Sequence, residues 1–200
     1  MKRLVFIFAF LLCCSAIQAN ARGIMTMAGA GVPSVATCTT VQTPTETGAT
    51  TATFPNNGVT QQYHASKFVA EATNTICAVD IYISKVGTPS DTMVIVAKIY
   101  ADDGGDPGLP TGAAICSSTN TVLAKDLGDE AAINFTGMSC SLTNTTKYWI
   151  SAWSNEYHAS NSFAVAGESD GTTEVVAKWN TDAWALSSTA RTFKYVLYRE

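Results

Sequence analysis

The sequence predicts an all-β protein, and three observations point to that class. Beyond Gly58, short segments in which apolar and polar residues alternate recur at close intervals. Residues that favour turns separate these segments, and no stretch shows the periodicity of a long amphipathic helix. About nine short strands with polar turns between them are typical of a β-sandwich or a β-barrel rather than of a parallel α/β sheet.

The predicted strands follow one another along most of the chain. In the second strand, the apolar odd-numbered residues from Cys77 to Ile83 share one face, as in an antiparallel sheet with one buried side. In the last strand, Phe193, Tyr195 and Leu197 recur at every second position, which predicts a paired strand rather than a tail. The predicted segments are Gln61–Ala70, Ile76–Lys85, Thr92–Tyr100, Ala113–Ala124, Ala131–Thr136, Lys147–Trp153, Ser162–Gly167, Glu174–Trp179 and Thr192–Tyr198.

Residues 1–21 have the order of a secretory signal peptide. Lys2 and Arg3 precede the apolar run Leu4–Cys14, and small residues follow up to Ala21. An apolar run of about 11 residues is too short to span a bilayer, which needs about 20. We therefore expect a secreted or extracellular protein, with the bacterial surface and the periplasm both open as destinations.

Residues 22–58 are rich in Thr, Ala, Gly and Pro and contain few large apolar side chains. Such a segment can bury little surface, so we expect an extended arm or spacer ahead of a β-domain at 59–200. Two interpretations stay open: a disordered leader, or a strand that pairs with the sheet of a neighbouring subunit.

Four cysteines follow the predicted signal peptide, at positions 38, 77, 116 and 140. An even number of cysteines in an exported chain predicts two disulfides, and the spacing leaves three connectivities open. Antiparallel pairing of the strand that begins at Cys77 with a strand that ends near Cys140 favours Cys77–Cys140, with Cys38–Cys116 as the second bond.

The charge of the chain bears on its partners. The formal net charge is −4 and Lys and Arg form no cluster, so the chain lacks the cationic surface that nucleic acids and anionic membranes require. Charged residues make up 14% of the chain, against a usual share of about 25%. We therefore expect a surface whose polarity comes mainly from hydroxyl and amide groups, and neither nucleic acid nor membrane as a partner.

The sequence motifs that could indicate catalysis lack the neighbouring elements and residues that catalysis needs. Gly167–Gly171 matches the G-x-S-x-G motif, but that motif needs a helix after it, and a strand is predicted there. His64 and His158 both precede Ser169, so the hydrolase order of Ser, acid and His cannot be completed. We therefore predict that the protein is not an enzyme. No glycosidase pair stands out among the carboxylates Glu156, Glu168, Asp170, Glu174 and Asp182.

An acidic glycine loop follows the third predicted strand. Asp102, Asp103 and Asp106 lie within it, and carboxylate oxygens on such a loop suit Ca²⁺. The alternative is a polar turn in which the Asp side chains accept hydrogen bonds from nearby backbone N–H groups.

Aromatic residues concentrate in the C-terminal third of the chain. Exposed aromatic rings on a rigid sheet offer apolar faces to sugar rings, which predicts a carbohydrate-binding platform. The alternative is that these rings belong to the core of the sandwich. The candidate residues are Trp149, Trp153, Tyr157, Trp179 and Trp184.

One series of motifs resembles a known family. The series consists of the strand Ile76–Lys85 with the turn Lys85–Gly87, the segment Lys98–Asp102 with Gly104-Gly105 and Pro107-Gly108, Leu142 with Thr146–Ile150, and Phe193-Lys194. Over about residues 60–198 it resembles the jelly-roll domains called choice-of-anchor in secreted bacterial and phage-associated proteins. The resemblance implies a jelly-roll sandwich on a secreted or surface protein, without an agreed activity. The four cysteines depart from the family pattern.

These observations combine into one expectation with one alternative. We expect an antiparallel jelly-roll β-sandwich that acts as a secreted, non-catalytic binding or adhesion module for carbohydrate or another surface polymer. The alternative is a structural subunit that forms a fibre or surface layer as a homo-oligomer through the N-terminal arm. Apart from Ca²⁺ on the acidic loop, no cofactor is expected.

Overall fold

Strands make up most of the chain that the structure describes. The computed structural model describes residues 38–43, 51–55, 62–156, 158, 161–168, 176–180, 182–187 and 192–200, with only the backbone at residues 41, 51–55, 62, 168 and 180. These residues form two antiparallel sheets that pack together, and one short 3₁₀ turn at Ala124–Asp126. The predicted all-β class is therefore confirmed, and the described fold is a β-sandwich.

One sheet, which we call the back sheet, carries strands from both ends of the described chain. In spatial order it contains β1 (Thr39–Gln42), β14 (Tyr195–Arg199), β4 (Asn74–Val86), β10 (Ser162–Glu168) and β13 (Thr192–Phe193), while β2 (Thr51–Pro55) pairs with β10 and β8 (Ala131–Leu142) pairs with β4. Because β14 lies between β1 and β4, the C-terminal strand is held on both sides.

The other sheet, which we call the front sheet, carries the candidate site. In spatial order it contains β12 (Ala183–Leu186), β11 (Val176–Asn180), β3 (Gln62–Val69), β9 (Lys147–Ser154), β5 (Val94–Asp102) and β6 (Pro110–Ser117), while β7 (Val122–Leu123) pairs with β5. Strands that are far apart in the sequence are neighbours in this sheet, as β3 and β9 are.

The predicted segments agree well with the strands. Each of the nine segments overlaps at least one strand, although Ala113–Ala124 divides into β6 and β7, and Thr192–Tyr198 divides into β13 and β14. β8 continues to Leu142, six residues beyond its predicted end at Thr136, because its alternation resumes after an irregular stretch at Gly137. β12 was not predicted, since four residues with two alanines carry little strand signal.

The core lies between the two sheets and is built from alternate residues of the long strands. β4 contributes Val79, Ile81 and Ile83 from the back sheet, while β5 contributes Ile95 and Ile99 from the front sheet. All five side chains are fully buried. Since burial of each such side chain stabilises a fold by about 1.5–3 kcal/mol, these facing rows account for much of the attraction between the sheets.

The alternation of β4 breaks at Cys77, where the strand carries a β-bulge. The register of β4 shifts between Ile76 and Ala78 against both neighbouring strands. A bulge reverses the inward and outward alternation of the residues on one side of it. Consequently Ile76 joins the core, and Cys77 does not continue the predicted apolar row that runs from Val79 to Ile83.

The two disulfides are Cys38–Cys77 and Cys116–Cys140, so the predicted pairing of Cys77 with Cys140 is wrong. β4 and β8 do run antiparallel, as that prediction assumed, but Ile76 lies opposite Cys140. Cys140 faces the core, where Cys116 of the front sheet meets it at a Cα–Cα distance of 5.4 Å. The neighbouring Cys77 is not part of the core between the sheets. It bonds Cys38, which directly precedes β1, with a Cα–Cα distance of 6.2 Å.

Two stretches of the predicted N-terminal arm are strands of the back sheet. β1 pairs with β14, and β2 pairs with β10. Segments with few large apolar side chains can form such strands because strand pairing uses backbone groups. The sandwich therefore includes part of the region predicted as a spacer, and the predicted signal peptide at residues 1–21 lies outside the described residues. In the part of the chain that the structure describes, no helix has the length and apolar character needed to cross a membrane.

Candidate functional site

Aromatic side chains from four neighbouring strands meet on the outer face of the front sheet. Trp184 of β12 pairs directly with Trp179 of β11, and Trp179 pairs directly with Tyr63 of β3. The register between β3 and β9 then places Trp153 opposite Tyr63. Directly paired residues point to the same face of a sheet, so these four rings share the face that is turned away from the core.

The rings contact one another in sequence. The Trp179 and Trp184 ring centroids are 5.4 Å apart with the rings nearly perpendicular, and the Tyr63 and Trp153 centroids are also 5.4 Å apart. Tyr63 is almost fully buried and donates its hydroxyl to the Ser154 carbonyl oxygen at 2.7 Å. The three tryptophans are only half-buried, so part of each ring faces solvent.

The front sheet curves so that its outer face is concave. β12 and β5 are four strand spacings apart, which would be roughly 19 Å in a flat sheet with a spacing of about 4.8 Å. Nevertheless, the ring of Trp184 packs edge-on against the ring of Tyr100 of β5 at a centroid distance of 5.5 Å. The β11–β12 hairpin therefore turns over the face of the sheet toward β5.

This curvature encloses an open cavity of about 390 Å³, which we call the aromatic cleft. Cavities of about 300–1,000 Å³ are the usual size of small-molecule sites. The small residues Gly112–Ala114 of β6 form one wall and leave room beside the rings. The full lining is Tyr63, Lys98, Tyr100, Gly112, Ala113, Ala114, Trp153, Trp179 and Trp184.

Lys98 places a cation inside the aromatic cleft. Its Nζ lies 3.8 Å from the centroid of the Trp153 ring, which is close enough for a cation–π interaction. Burial lowers the pKa of Lys98, because the surrounding protein removes part of the water that would solvate the ammonium group. Among the described residues that line the cleft, Lys98 carries the only formal charge.

The two tyrosines of the cleft are held in their neutral form. Burial, with a smaller contribution from Tyr100, raises the pKa of Tyr63 to about 12. Burial also raises the pKa of Tyr100 to about 12. Both phenols therefore remain protonated at physiological pH and act through ring faces and hydroxyl groups.

Trp149 lies on the same face of the sheet but under the loop that joins β5 to β6. Its ring is fully buried, and its Nε1 donates to Asp102 Oδ2 at 2.8 Å. Lys67 Nζ lies 3.6 Å from the same carboxylate oxygen and also donates to the Pro107 carbonyl oxygen. Leu109 packs on this cluster. The β5–β6 loop therefore covers one half of the face and leaves the other half open as the aromatic cleft.

The acidic loop uses its carboxylates mainly for internal contacts. Asp103 Oδ1 accepts the backbone N–H groups of Gly105 at 2.9 Å and Leu109 at 3.0 Å, and these bonds lower the pKa of Asp103. Asp102 is engaged under the loop, whereas Asp106 is exposed. Within the described residues, this loop included, no three His, Cys, Asp or Glu side chains form a metal-binding group. Calcium binding by Asp102, Asp103 and Asp106 stays a prediction that thermal melting with and without EDTA tests.

The structure brings together three of the five aromatic residues predicted to bind a ligand. Trp153, Trp179 and Trp184 line the aromatic cleft. Trp149 is completely buried, so its assignment to an exposed platform is corrected: the β5–β6 loop covers it. Tyr157 lies outside the described residues.

Sequence reasoning missed Tyr63, Lys98 and Tyr100 as members of the cleft. Each lies in a predicted strand, on the face opposite the core residues of that strand. The alternation of residues could therefore have assigned all three to an outer face. It could not show that β3 and β5 flank β9, because the order of strands in a sheet is not visible in the alternation.

The residues considered for catalysis are spread over the molecule. Ser90 donates its hydroxyl to Glu156 Oε2 at 2.6 Å, and His158 Nε2 lies 3.9 Å from the same oxygen. The carboxylate thus stands between the hydroxyl and the imidazole, unlike the order of a catalytic triad. His64 is half-buried on β3, and Asp182 is exposed beside β12. Glu168 ends β10, and Ser169, Asp170 and Glu174 lie outside the described residues.

Comparison with other proteins found no family model and no curated protein that matches this chain. The shape, lining and charge of the aromatic cleft are therefore the basis for a functional proposal.

Proposed function

We propose that the protein is a secreted, non-catalytic binding module that takes a carbohydrate in the aromatic cleft. The observation that carries the proposal is the convergence of Trp153, Trp179 and Trp184, each half-buried with part of its ring facing solvent, in one open cavity of about 390 Å³. Carbohydrate of a cell surface or another extracellular polymer is the ligand class that such a module would meet.

The chemistry of the cleft suits a sugar better than a purely apolar ligand. Sugar rings have apolar C–H faces that pack on aromatic rings, and hydroxyl groups at their edges that need hydrogen-bond partners. The nearly perpendicular rings of Trp179 and Trp184 offer two apolar surfaces, while Lys98 offers hydrogen-bond donors. The volume fits a short saccharide or the end of a polymer.

Secretion and a jelly-roll topology complete the proposal. Disulfides persist mainly in oxidising compartments, and the described chain contains two. Both disulfides and the export signal predicted at residues 1–21 support a location outside the cytoplasm. A jelly-roll arrangement is supported by two packed antiparallel sheets and by strands that are neighbours in space but distant in sequence.

Tryptophan fluorescence during titration with a panel of glycans tests the proposed function. We expect saturable quenching by at least one glycan, because three of the four tryptophans line the cleft. Trp179→Ala should weaken this binding by about tenfold or more, since stacking on an aromatic ring contributes on the order of 1–2 kcal/mol.

Tyr82→Ala provides the matched control. Tyr82 is also a half-buried aromatic residue next to a lysine, with Lys194 Nζ 4.4 Å from its ring centroid, but it lies in the back sheet. Its loss should leave glycan affinity unchanged. Absence of binding to every glycan by a folded protein, or equal losses in the two variants, would contradict the proposed site.

A structural subunit is the second candidate, and one observation favours it. Among the described strands, β1 lies at an edge of the back sheet, where it pairs with β14 and is tied to β4 by Cys38–Cys77. An edge strand of this kind can be exchanged between copies of a chain, which would link them into a fibre. Light scattering and non-reducing electrophoresis test this candidate: a monomer without intermolecular disulfides would exclude it.

A further inference from the structure

We infer that the aromatic cleft selects an acidic sugar, in which a carboxylate or sulfate group on the ring pairs with the ammonium group of Lys98. This inference rests on the proposed function and names the class of carbohydrate within it. Three features of the cleft support the inference: its charge, the position of Lys98 and the solvation of Lys98. The net charge of the whole chain is a fourth observation that bears on it.

The described lining has a cation and lacks an anion. Lys98 is its charged residue, and the other described members are aromatic residues, glycine and alanine. An acidic side chain in such a site would accept hydrogen bonds from sugar hydroxyls and repel an anionic group. Without one in the described lining, the site has no repulsive element against an acidic sugar.

Lys98 is positioned where an anion can reach it while a ring stacks nearby. Its ammonium group lies over Trp153, whereas Trp179 and Trp184 contact each other on the β11–β12 hairpin. A ring packed against Trp179 or Trp184 would share the cavity with Lys98. A cationic ligand is disfavoured, because Lys98 already occupies the face of Trp153.

The solvation of Lys98 favours an anionic partner. Burial lowers its pKa, which means that the protein around the ammonium group replaces lost water poorly. A carboxylate or sulfate would supply charge-assisted hydrogen bonds to this group in a partly desolvated site. A neutral hydroxyl makes a weaker bond with the same ammonium group.

The net charge of the protein does not favour anionic ligands, so a preference for an acidic sugar has to come from the cleft itself. A chain with a net charge of −4 repels anions on average. Preference for an acidic sugar would therefore depend on Lys98 and not on a general attraction, so a single substitution should remove it.

The test compares ligands that differ only in the anionic group. Tryptophan fluorescence is measured during titration with trigalacturonate and its methyl ester, and with short dextran sulfate and unsulfated dextran; the two pairs separate carboxylate from sulfate. We expect at least one acidic member to bind about tenfold more tightly than its neutral partner, and high salt to weaken this preference.

Three variants assign the preference to its origin. Lys98→Met should lower the affinity for the acidic sugar to that of the neutral one, and Lys98→Arg should retain the preference. Lys147→Met is the matched control, because Lys147 is exposed on β9 of the same sheet and does not line the cleft.

The outcomes separate the inference from the proposed function. Equal affinity for acidic and neutral members in both pairs, or an acidic preference that persists in Lys98→Met, would overturn the inference while the carbohydrate site stands. Failure of the folded wild-type protein to bind any glycan, including a broad neutral panel, would overturn the proposed function and the inference with it.

Discussion

Asp102 is the residue on which the cover over Trp149 depends. Its carboxylate meets the indole N–H of Trp149 and the ammonium group of Lys67, and the Lys67 and Asp102 side chains are only 13% and 5% exposed. Removing one partner of a buried ion pair leaves the other charge without compensation. Asp102 therefore connects the stability of the fold to the shape of the outer face.

Asp102→Asn should lower the free energy of unfolding by about 3 kcal/mol, because Lys67 then remains buried without the carboxylate that it contacts. Urea unfolding measures this change. Asp126→Asn is the control, since Asp126 is 59% exposed in its ion pair with Lys125 and should cost less than about 1 kcal/mol. Similar losses of unfolding free energy in the two variants would show that the buried ion pair stabilises the fold no more than the exposed one does.

Three tyrosines should lose their hydroxyl protons at a higher pH than an unperturbed tyrosine does: Tyr63, Tyr100 and Tyr198. Burial raises the first two pKa values to about 12, and a hydrogen bond to Asp80 is the main cause of a similar value for Tyr198. The pKa is 10.0 for an unperturbed tyrosine, so the unfolded chain loses these protons first. The stabilisation they provide is complete below about pH 10 and is lost as the pH rises toward about 12.

Tyrosinate absorbance measured against pH checks this behaviour. Three of the seven tyrosines should ionise near pH 12 while circular dichroism still reports folded protein, or should ionise together with unfolding. Ionisation of Tyr63, Tyr100 and Tyr198 near pH 10 in the folded state would contradict the burial of the first two phenols and the hydrogen bond of the third to Asp80.

For single residues, the alternation along a strand predicts on which face of the sheet a side chain lies, but not whether a loop covers that face. By this alternation Trp149 and Trp153 share one face of β9, yet Trp149 is buried and Trp153 is only half-buried. The difference comes from the β5–β6 loop, about 45 residues earlier in the chain, which folds back over Trp149. A pattern within one strand contains no information about a loop that packs on it.

At the scale of elements, the β5–β6 hairpin depends on a close approach between backbone and carboxylate. Gly108 has φ +79°, and a Cβ on it would lie 2.5 Å from Asp102 Oδ2. Gly104 has nearly the same conformation, φ +81°, but open space around it. The two glycines therefore differ in the room beside them and not in backbone conformation.

Gly108→Ala should be more destabilising than Gly104→Ala. Both substitutions carry the cost of a left-handed conformation, about 1 kcal/mol, but only alanine at 108 displaces the Asp102 carboxylate from Lys67 and Trp149. Urea unfolding should show an additional loss of about 1–3 kcal/mol for Gly108→Ala. Equal losses would mean that Asp102 can move without weakening its contacts.

The disulfides offer a second comparison between elements. Cys116–Cys140 closes a shorter stretch of chain than Cys38–Cys77, with sequence separations of 24 and 39 residues. It nevertheless joins the two sheets through the core, whereas Cys38–Cys77 fastens an edge strand. Chain entropy alone would make the longer loop the more stabilising one.

Replacing Cys116 and Cys140 together by alanine should lower the free energy of unfolding by about 3 kcal/mol, because it removes both the link and a buried core contact. Replacing Cys38 and Cys77 should cost less and should mainly increase hydrogen exchange in β1. A larger loss from the Cys38 and Cys77 pair would indicate that the disulfides act through the unfolded chain alone.

Register explains why element positions were easier to predict than element contacts. All nine predicted segments overlap strands, and β4 and β8 pair antiparallel, as the predicted disulfide assumed. An irregular stretch of β8 between Thr136 and Cys140 then placed Ile76, and not Cys77, opposite Cys140. Such an irregularity has no strong signal in the sequence, so the connectivity could not follow from spacing.

At the scale of the whole molecule, the continuity of the back sheet depends on strand β14. β14 pairs on one side with β1 and on the other with β4. Without β14, both neighbours would lose a partner and the core would lose Tyr195 and Leu197.

A chain that ends at Lys194 should therefore fail to fold. Circular dichroism and size-exclusion chromatography should report an unfolded or aggregated chain, whereas a chain without only Glu200, which lies beyond β14, should fold normally. A cooperative unfolding transition in the shorter chain would show that β14 is dispensable.

The aromatic cleft is also a property of the whole molecule. Its described lining comes from six strands that occupy the front sheet in an order unlike their order in the sequence. Composition could predict that tryptophans were available for binding, and the alternation could predict their faces. The convergence of Trp184 with Tyr100 depends on the curvature of the sheet, which no local pattern records.

The pairing of Thr39 with Arg199 decides how the protein can be attached to a support. It brings the first and last strands of the described fold to the same edge of the back sheet, while the aromatic cleft opens on the far side of the front sheet. A linker attached after Glu200 would thus start from the back sheet, and not from the sheet whose outer face carries the cleft. When coupled to a biosensor chip through such a linker, the protein should present its cleft to the flowing sample.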